Sequence, residues 1–152
     1  LAAAVIRAQG DSRQARRLLE AARASGGDRK EIIGPLIQIL IDRGVSLLFV
    51  PAQFSLSTGK AHWEMLLRIR AVEIQGVVVG VQPAQNPALA YVPFGHSITA
   101  GPWGDVLEDA GTQEAVSVVR VDMEECVRIR SVFPLIEHRR MDLYRTVWHD
   151  GN

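Results

Sequence analysis

Cys126 is the only residue in the chain whose type makes it a strong nucleophile, since the 152 residues contain a single cysteine. A thiol becomes reactive as the thiolate, which a neighbouring cation or a helix N-terminus stabilises. Cys126 instead stands between Glu125 and Val127, with a second acid, Glu124, before them. These acids disfavour a thiolate. We therefore predict an inert, packed cysteine and assign no catalytic residue.

Lys60 and the histidines are the other residues that could transfer protons or bind metal. Lysines are usually exposed, so we predict a surface position for Lys60. His62, His96 and His138 have no ligand partner four residues away or at another short spacing, which is the arrangement typical of zinc sites. We therefore expect no metal and no cofactor.

The amino-acid composition limits the kinds of molecule that the chain is expected to bind. The chain carries 17 basic and 17 acidic residues, so no net charge attracts nucleic acid or an anionic membrane. No apolar run reaches the roughly 18 residues of a membrane span. A single cysteine excludes an internal disulfide and is typical of a reducing compartment. We expect a cytoplasmic protein with neither nucleic-acid nor membrane partners.

A central helix, Ala61–Gln75, organises the predicted fold. Strong helix formers fill it, and Glu64 with Arg68 has the favourable spacing for an ion pair on a solvated face. The apolar residues at helical spacing predict the side that faces the core. These residues are Met65, Leu66, Ile69 and Val72.

Two apolar runs, Ser46–Val50 and Gly76–Val81, enclose this helix and predict adjacent buried strands. The order of elements argues for one α/β domain. The remaining predictions are a strand at Leu1–Ala8, helices at 12–25 and 35–43, a hairpin of Gly95–Ala100 and Asp105–Glu108 around the turn Gly101–Gly104, a strand at Ala115–Val121, and a helix that Asp122 and Glu125 cap and that ends near Val132.

Four sequence words identify a family resemblance. TGKAHWEMLLRIRAVEIQ, LLFVPAQF before it, and FGHSITAGPWGDVL and FPLIEHRRMDLY after it cover residues 43–144. Together they resemble the nitrilase superfamily of carbon-nitrogen hydrolases. Within it, the shorter motifs TGKAHWE, YVPFGHS, AGTQEA and HRRMDLY look most like the omega-amidase and deaminated-glutathione-amidase branch, which hydrolyses terminal amides of small 2-oxo or peptide-like acids. The resemblance implies a small-molecule amide substrate.

The resemblance also implies a fold, an αββα sandwich, of which this chain would hold an incomplete copy. Residues 1–152 would form a single incomplete domain, with a possible first strand and helix in 1–27 and the C-terminal half in 35–144. Family members use a glutamate, a lysine and a cysteine for catalysis. An ungapped alignment places Asp28 at the position of the cysteine and Ile32 at that of the substrate-binding arginine. We therefore predict that this chain alone is inactive.

Phe54 and Thr58 match, at the family spacing, the aromatic and hydroxyl residues that line the amidase pocket. We predict that they bind substrate. The alternative is structural: Phe54 would fill the core at the end of its strand, and Thr58 would cap the central helix. Both interpretations can hold together.

Two functions remain open. The first is an amidase by descent that lacks its catalytic residues in this chain. The second is a non-catalytic interaction module that pairs with itself or with a full-length homologue. An incomplete sandwich leaves apolar surface uncovered, and the arm Arg139–Tyr144 resembles a family segment that packs on a second subunit. Both features predict a homo-oligomer.

Overall fold

The computed structural model describes residue 37, residues 40–140 and residues 142–143. In that part, the strands are β1 (Leu47–Pro51), β2 (Val77–Val81), β3 (Ile98–Ala100) and β4 (Val106–Asp109). The helices are α1 (Leu56–Thr58), α2 (Glu64–Ile74) and α3 (Met123–Val132), and a π-helical turn, Gly59–Trp63, joins α1 to α2.

Some predicted elements cannot be compared with the structure. The predicted strand Leu1–Ala8 and the helix at 12–25 lie outside the described residues. Of the helix at 35–43, residues 37 and 40–43 are described; residues 37 and 40–42 are helical, and residue 43 is in a turn. No helix in the described part of the chain is long and apolar enough to cross a membrane.

The four strands form one sheet in the order β1-β2-β3-β4. β1 and β2 are parallel, with Leu48 opposite Val78, as predicted for the two apolar runs. β2 pairs antiparallel with β3, and β3 with β4, which confirms the predicted hairpin. In its turn, the Gly104 amide donates to the Gly101 carbonyl at 2.9 Å. The mixed α/β class is therefore correct.

Helix α2 forms where predicted, but the predicted core-facing side is wrong. The residues that face the sheet are the other apolar set, at most 2% exposed: Trp63, Leu67, Ala71 and Ile74. The predicted set stays 36–51% exposed: Met65, Leu66, Ile69 and Val72. The helix is apolar on two sides, and small Ala71 lets only one of them approach the sheet closely. Periodicity alone does not distinguish the two sides.

Trp63 fixes the rotation of α2 against the sheet. Its indole and the Leu67 side chain occupy the space that a Cβ on Gly80 would need. Gly59, in the turn before it, lies against the Phe94 ring in the same way. Close contact between backbone and large side chains therefore requires glycine at both positions.

The predicted strand at Ala115–Val121 is wrong. Its valines have high strand propensity, but none of these residues pairs with a strand of the described sheet. Val116 and Val118 are each 94% exposed. Propensity without a partner strand does not make a strand, because cross-strand packing supplies most of the stabilisation.

Helix α3 begins as predicted at Asp122, whose carboxylate accepts from the Glu124 amide at 2.9 Å. The predicted capping role of Glu125 is wrong, because its carboxylate pairs with Arg128 instead. From the last turn of α3, Arg130 donates to the carbonyls of Val45 and Ile74, at 2.8 and 2.9 Å. α3 is thereby attached beside the amino ends of β1 and β2.

We predict that Gly80→Ala lowers the free energy of unfolding by about 1–3 kcal/mol, because the new methyl group overlaps Leu67 and Trp63. Leu67→Ala alone should cost about 2–5 kcal/mol through the cavity that it leaves. In the double variant the methyl group fills part of that cavity, so the two costs should not add. Urea unfolding of all four proteins measures the coupling. Strict additivity would contradict the contact between Gly80 and Leu67.

Candidate functional site

The candidate site lies at the carboxyl ends of the two parallel strands, where open α/β sheets bind their ligands. The chain leaves β1 through Ala52, Gln53 and Phe54, and it leaves β2 at Gln82. The Ala52 amide donates to the Val81 carbonyl at 2.9 Å, which holds the two exits side by side.

Gln82 connects the segments at this edge. Its Oε1 accepts from the Phe54 amide at 2.9 Å. Its backbone amide donates to Ser97 Oγ at 3.0 Å, and the Ser97 hydroxyl donates back to the Gln82 carbonyl at 3.1 Å. Gln82 is 7% exposed, and its Nε2 has no hydrogen-bond partner among the described residues.

Phe54 is half-buried, and its ring packs on Trp63 with centroids 5.1 Å apart. Its carbonyl accepts from the Phe94 amide at 2.9 Å, so the loop that follows β2 is joined to the exit of β1. The position fits the structural interpretation of Phe54, and it also places the residue beside Gln82. The predicted contact of Phe54 with substrate stays a prediction.

Thr58 does not cap the central helix, so that alternative is wrong. The cap is Ser55, whose Oγ accepts from the Thr58 amide at 3.3 Å, while Thr58 itself is already helical. The Thr58 hydroxyl is exposed and lies 2.8 Å from Ser55 Oγ. The sequence predicts a cap at Thr58, next to Gly59, but the helical segment already begins with α1, which Ser55 caps. Substrate binding by Thr58 stays a prediction.

Cys126 lies at the opposite edge of the sheet from the candidate site. It is fully buried in α3 beside the backbone of Val77, the first residue of β2. Burial raises the pKa of the Cys126 thiol, and the carboxylate of Asp122 adds to the rise, against Arg130, which lowers it. This thiol is a packed core residue, as predicted, and cannot attack a ligand at the carboxyl edge.

The lysine and histidines that could transfer protons or bind metal lie on the surface or contact neighbouring side chains. Lys60 and His62 are exposed on the π-helical turn. His96 stacks on Phe94 and shares its Nδ1 with the Asp109 carboxylate at 2.9 Å. No group of three or more potential metal ligands gathers within residues 40–140. The described residues therefore offer hydrogen bonds and apolar contact at the candidate site, without a cysteine thiol.

The family model for carbon-nitrogen hydrolases matches residues 32–131, about two thirds of the chain. This chain belongs to the carbon-nitrogen hydrolase family. It is 44% identical over 109 residues to omega-amidase NIT2 of Homo sapiens, and 40% identical over the same length to omega-amidase NIT2-A of Xenopus laevis. Each alignment covers 72% of this chain and 40% of the relative.

Solved structures of this family superpose on the chain. The C. elegans NitFhit protein gives a TM-score of 0.64 at 35% identity, covering 72% of this chain and 27% of that protein. Saccharomyces cerevisiae Nit3 gives 0.66 at 33% identity, covering 70% and 39%. The fold is that of carbon-nitrogen hydrolases. The chain spans well under half the length of the relatives that it matches.

Gln82 and Ser55 are the residues that sequence reasoning missed. A serine three residues before Thr58 is a visible capping signal. Gln82 gave a weaker signal, as a polar residue directly after an apolar strand. Its hydrogen bond to Phe54 joins residues 28 positions apart, and no local pattern indicates such a contact.

We predict that Ser55→Ala destabilises the protein by about 0.5–2 kcal/mol, because the cap of α1 loses its acceptor. Thr58→Ala is the matched control. It also removes a hydroxyl from this turn but leaves that acceptor in place, so it should cost less. Thermal unfolding of both variants checks the order, and an equal or larger loss from Thr58→Ala would show that Thr58 is the cap.

Proposed function

We propose that this chain supplies the C-terminal half of an amidase domain that hydrolyses terminal amides of small 2-oxo or peptide-like acids. The 44% identity to omega-amidase NIT2 is the observation that carries the proposal. The candidate site adds support, because its polar groups lie at the sheet edge where ligands bind. A reducing, cytoplasmic location is part of the proposal, supported by the single buried thiol.

We further propose that these 152 residues alone bind such amides without hydrolysing them. Hydrolysis in the family uses a cysteine thiolate together with a base and a positive charge. Cys126 is buried near the amino end of β2, away from the candidate site, and Lys60 is exposed on a turn. No described residue supplies these three groups together at the candidate site.

We predict that a terminal amide of a 2-oxo dicarboxylic acid shifts the backbone NMR resonances of Phe54 and Thr58, with no ammonia released above a protein-free control. Amide spectra and a coupled ammonia assay on one sample give both results. Cys126→Ala should leave both unchanged. Unmoved Phe54 and Thr58 resonances would reject amide binding. Ammonia release that Cys126→Ala abolishes would reject the assignment of this cysteine as inert.

The second proposed function is an interaction module, which pairs with itself or with a full-length homologue. A cleft of about 540 Å³ runs along the solvent side of α2. Its apolar centre consists of Met65, Ile69, Val72 and Trp103, the last 64% exposed. Arg68 Nε donates to the Gly104 carbonyl at 2.6 Å and holds the hairpin turn against the helix. This hydrogen bond therefore fixes the turn that forms one wall of the apolar cleft.

Charges of both signs border this cleft. Lys60 and Arg68 lie along it together with Glu64 and Glu73. In a two-fold symmetric pair, each patch meets a copy of itself, so a surface with both signs can be complementary to itself. Apolar area buried between two copies contributes about 25 cal/mol per Å², which favours pairing over exposure. A homo-oligomer through this cleft is the form that we propose.

The predicted arm at the C-terminal end contributes differently. Arg139 pairs with Asp42 at 2.8 Å, so it contacts helical residues of its own chain. Arg140 pairs with Asp142, and both are exposed. Tyr144 lies outside the described residues. Exposed ion pairs of this kind are worth about 0–1 kcal/mol, so we place the principal contact between copies at the α2 cleft.

We predict that the chain self-associates in the micromolar range and that Ile69→Glu weakens the association at least about tenfold, because it buries a charge in the apolar centre of the cleft. Val118→Glu adds the same charge at an exposed position and is the control. Sedimentation velocity over a dilution series gives both constants. A monomer at high concentration would exclude self-pairing, and equal weakening by both variants would exclude this cleft as the interface.

A further inference from the structure

The side-chain amide of Gln82 has a fixed orientation. Its oxygen and nitrogen are distinguished by the group that they face, which here is the Phe54 amide, a donor. Only Oε1 can accept from Phe54, so Nε2 points away from it. The two hydrogens of Nε2 have no acceptor among the described residues, although the residue is only 7% exposed.

A buried donor without an acceptor is unfavourable and uncommon in folded proteins. Here it stands at the carboxyl edge of the parallel strands, next to Phe54. The edge of the sheet and the unpaired donor are independent observations, and they indicate the same place. An oxygen of a ligand would complete the hydrogen bonding of Gln82.

The surroundings of Gln82 define the kind of oxygen. Its side chain accepts from the Phe54 amide and its backbone bonds the Ser97 hydroxyl, and both of these partners are neutral. A carboxylate brought to a buried donor without a cation would lose its hydration with too little in return. A neutral carbonyl oxygen suits the donor, because it needs only a hydrogen bond.

The loop that follows Gln82 is attached weakly to this edge. Residues 86–91 are exposed, and Tyr91 contacts the β1 exit through a long hydrogen bond, 3.4 Å from its hydroxyl to the Gln53 carbonyl. The buried side of the site is held more firmly, by Gln82, Ser97 and Phe54.

We propose that Gln82 is a substrate-binding residue whose Nε2 donates a hydrogen bond to a neutral carbonyl oxygen of the substrate. This rests on the proposed function, because amides of 2-oxo acids carry two such oxygens, one in the amide and one in the ketone. Gln82 thereby distinguishes the neutral carbonyl groups of the substrate from its carboxylate.

Three ligands of one shape test the proposal: propionamide, butanone and propionate. They differ only in the group beside the carbonyl, which is NH₂, CH₃ or O⁻. On the ¹⁵N-labelled chain, we expect propionamide or butanone to shift the Gln82 side-chain resonance in a saturable way, and propionate to leave it unmoved. A response to propionamide alone assigns the bond to the amide, and a response to butanone shows that a ketone suffices. A response to propionate alone, or to none, overturns the proposal.

Gln82→Glu is the matched substitution, because its carboxylate still accepts from Phe54 but replaces the Nε2 donor by an acceptor. We expect about tenfold weaker binding of the ligand that responds. Gln113→Glu adds the same charge at an exposed position outside the candidate site and should bind as the wild type does. Unshifted amide resonances far from this edge, such as that of the buried Cys126, verify the fold of Gln82→Glu. Wild-type affinity in Gln82→Glu would reject the role of Gln82.

The proposed function fails by a different result. If the 2-oxo acid amide shifts Phe54 and Thr58 while all three small ligands leave Gln82 unmoved, amide binding stands and the role of Gln82 is rejected. If propionamide shifts Gln82 while the 2-oxo acid amide binds nowhere, the carbonyl contact stands and the proposed substrate class is rejected.

Discussion

The burial of Trp63 between helix and sheet is the contact on which the rest of the described structure depends. The indole is 2% exposed, lies over Gly80 beside Leu67, and packs on the ring of Phe54. Its Nε1 donates to the His96 carbonyl at 2.7 Å. One side chain thus joins α2, β2, the exit of β1 and the loop before β3. The rotation of α2 and the position of the candidate site have the same origin.

His96 shows how this contact sustains an unfavourable backbone. Its φ is 56°, in the left-handed region that costs a residue other than glycine about 1–3 kcal/mol. The Trp63 indole holds its carbonyl, the Asp109 carboxylate holds its ring, and its amide donates to Gly111. The motif FGHS therefore has a structural role, in which His96 is held by contacts with Trp63, Asp109 and Gly111. This explains how the motif resembles a hydrolase without supplying a catalytic group.

The positions of helices and strands along the chain are easier to predict from this sequence than the contacts between them. The runs at 46–50 and 76–81 are apolar enough to predict paired strands, because both faces of such strands carry apolar side chains. The side of α2 that faces the sheet could not be predicted from periodicity, because the sizes and shapes of Trp63 and Ala71 determine it. The strand at 115–121 was predicted from valines whose partner strand is absent from the described sheet. At the site, Phe54 was found through its motif, whereas Gln82 depends on a contact 28 residues away.

The two apolar sides that remain exposed have different consequences. The sheet face opposite α2 presents Leu47, Phe49 and Val81, each more than 40% exposed, and the outer side of α2 presents Met65 and Ile69. A sheet that is apolar on both faces is typical of one covered on both faces. A partner on this sheet face would also border the carboxyl ends of β1 and β2, and so the candidate site. A partner on α2 would lie on the other side of the sheet, away from Gln82. The two exposed apolar sides can therefore be covered independently of each other.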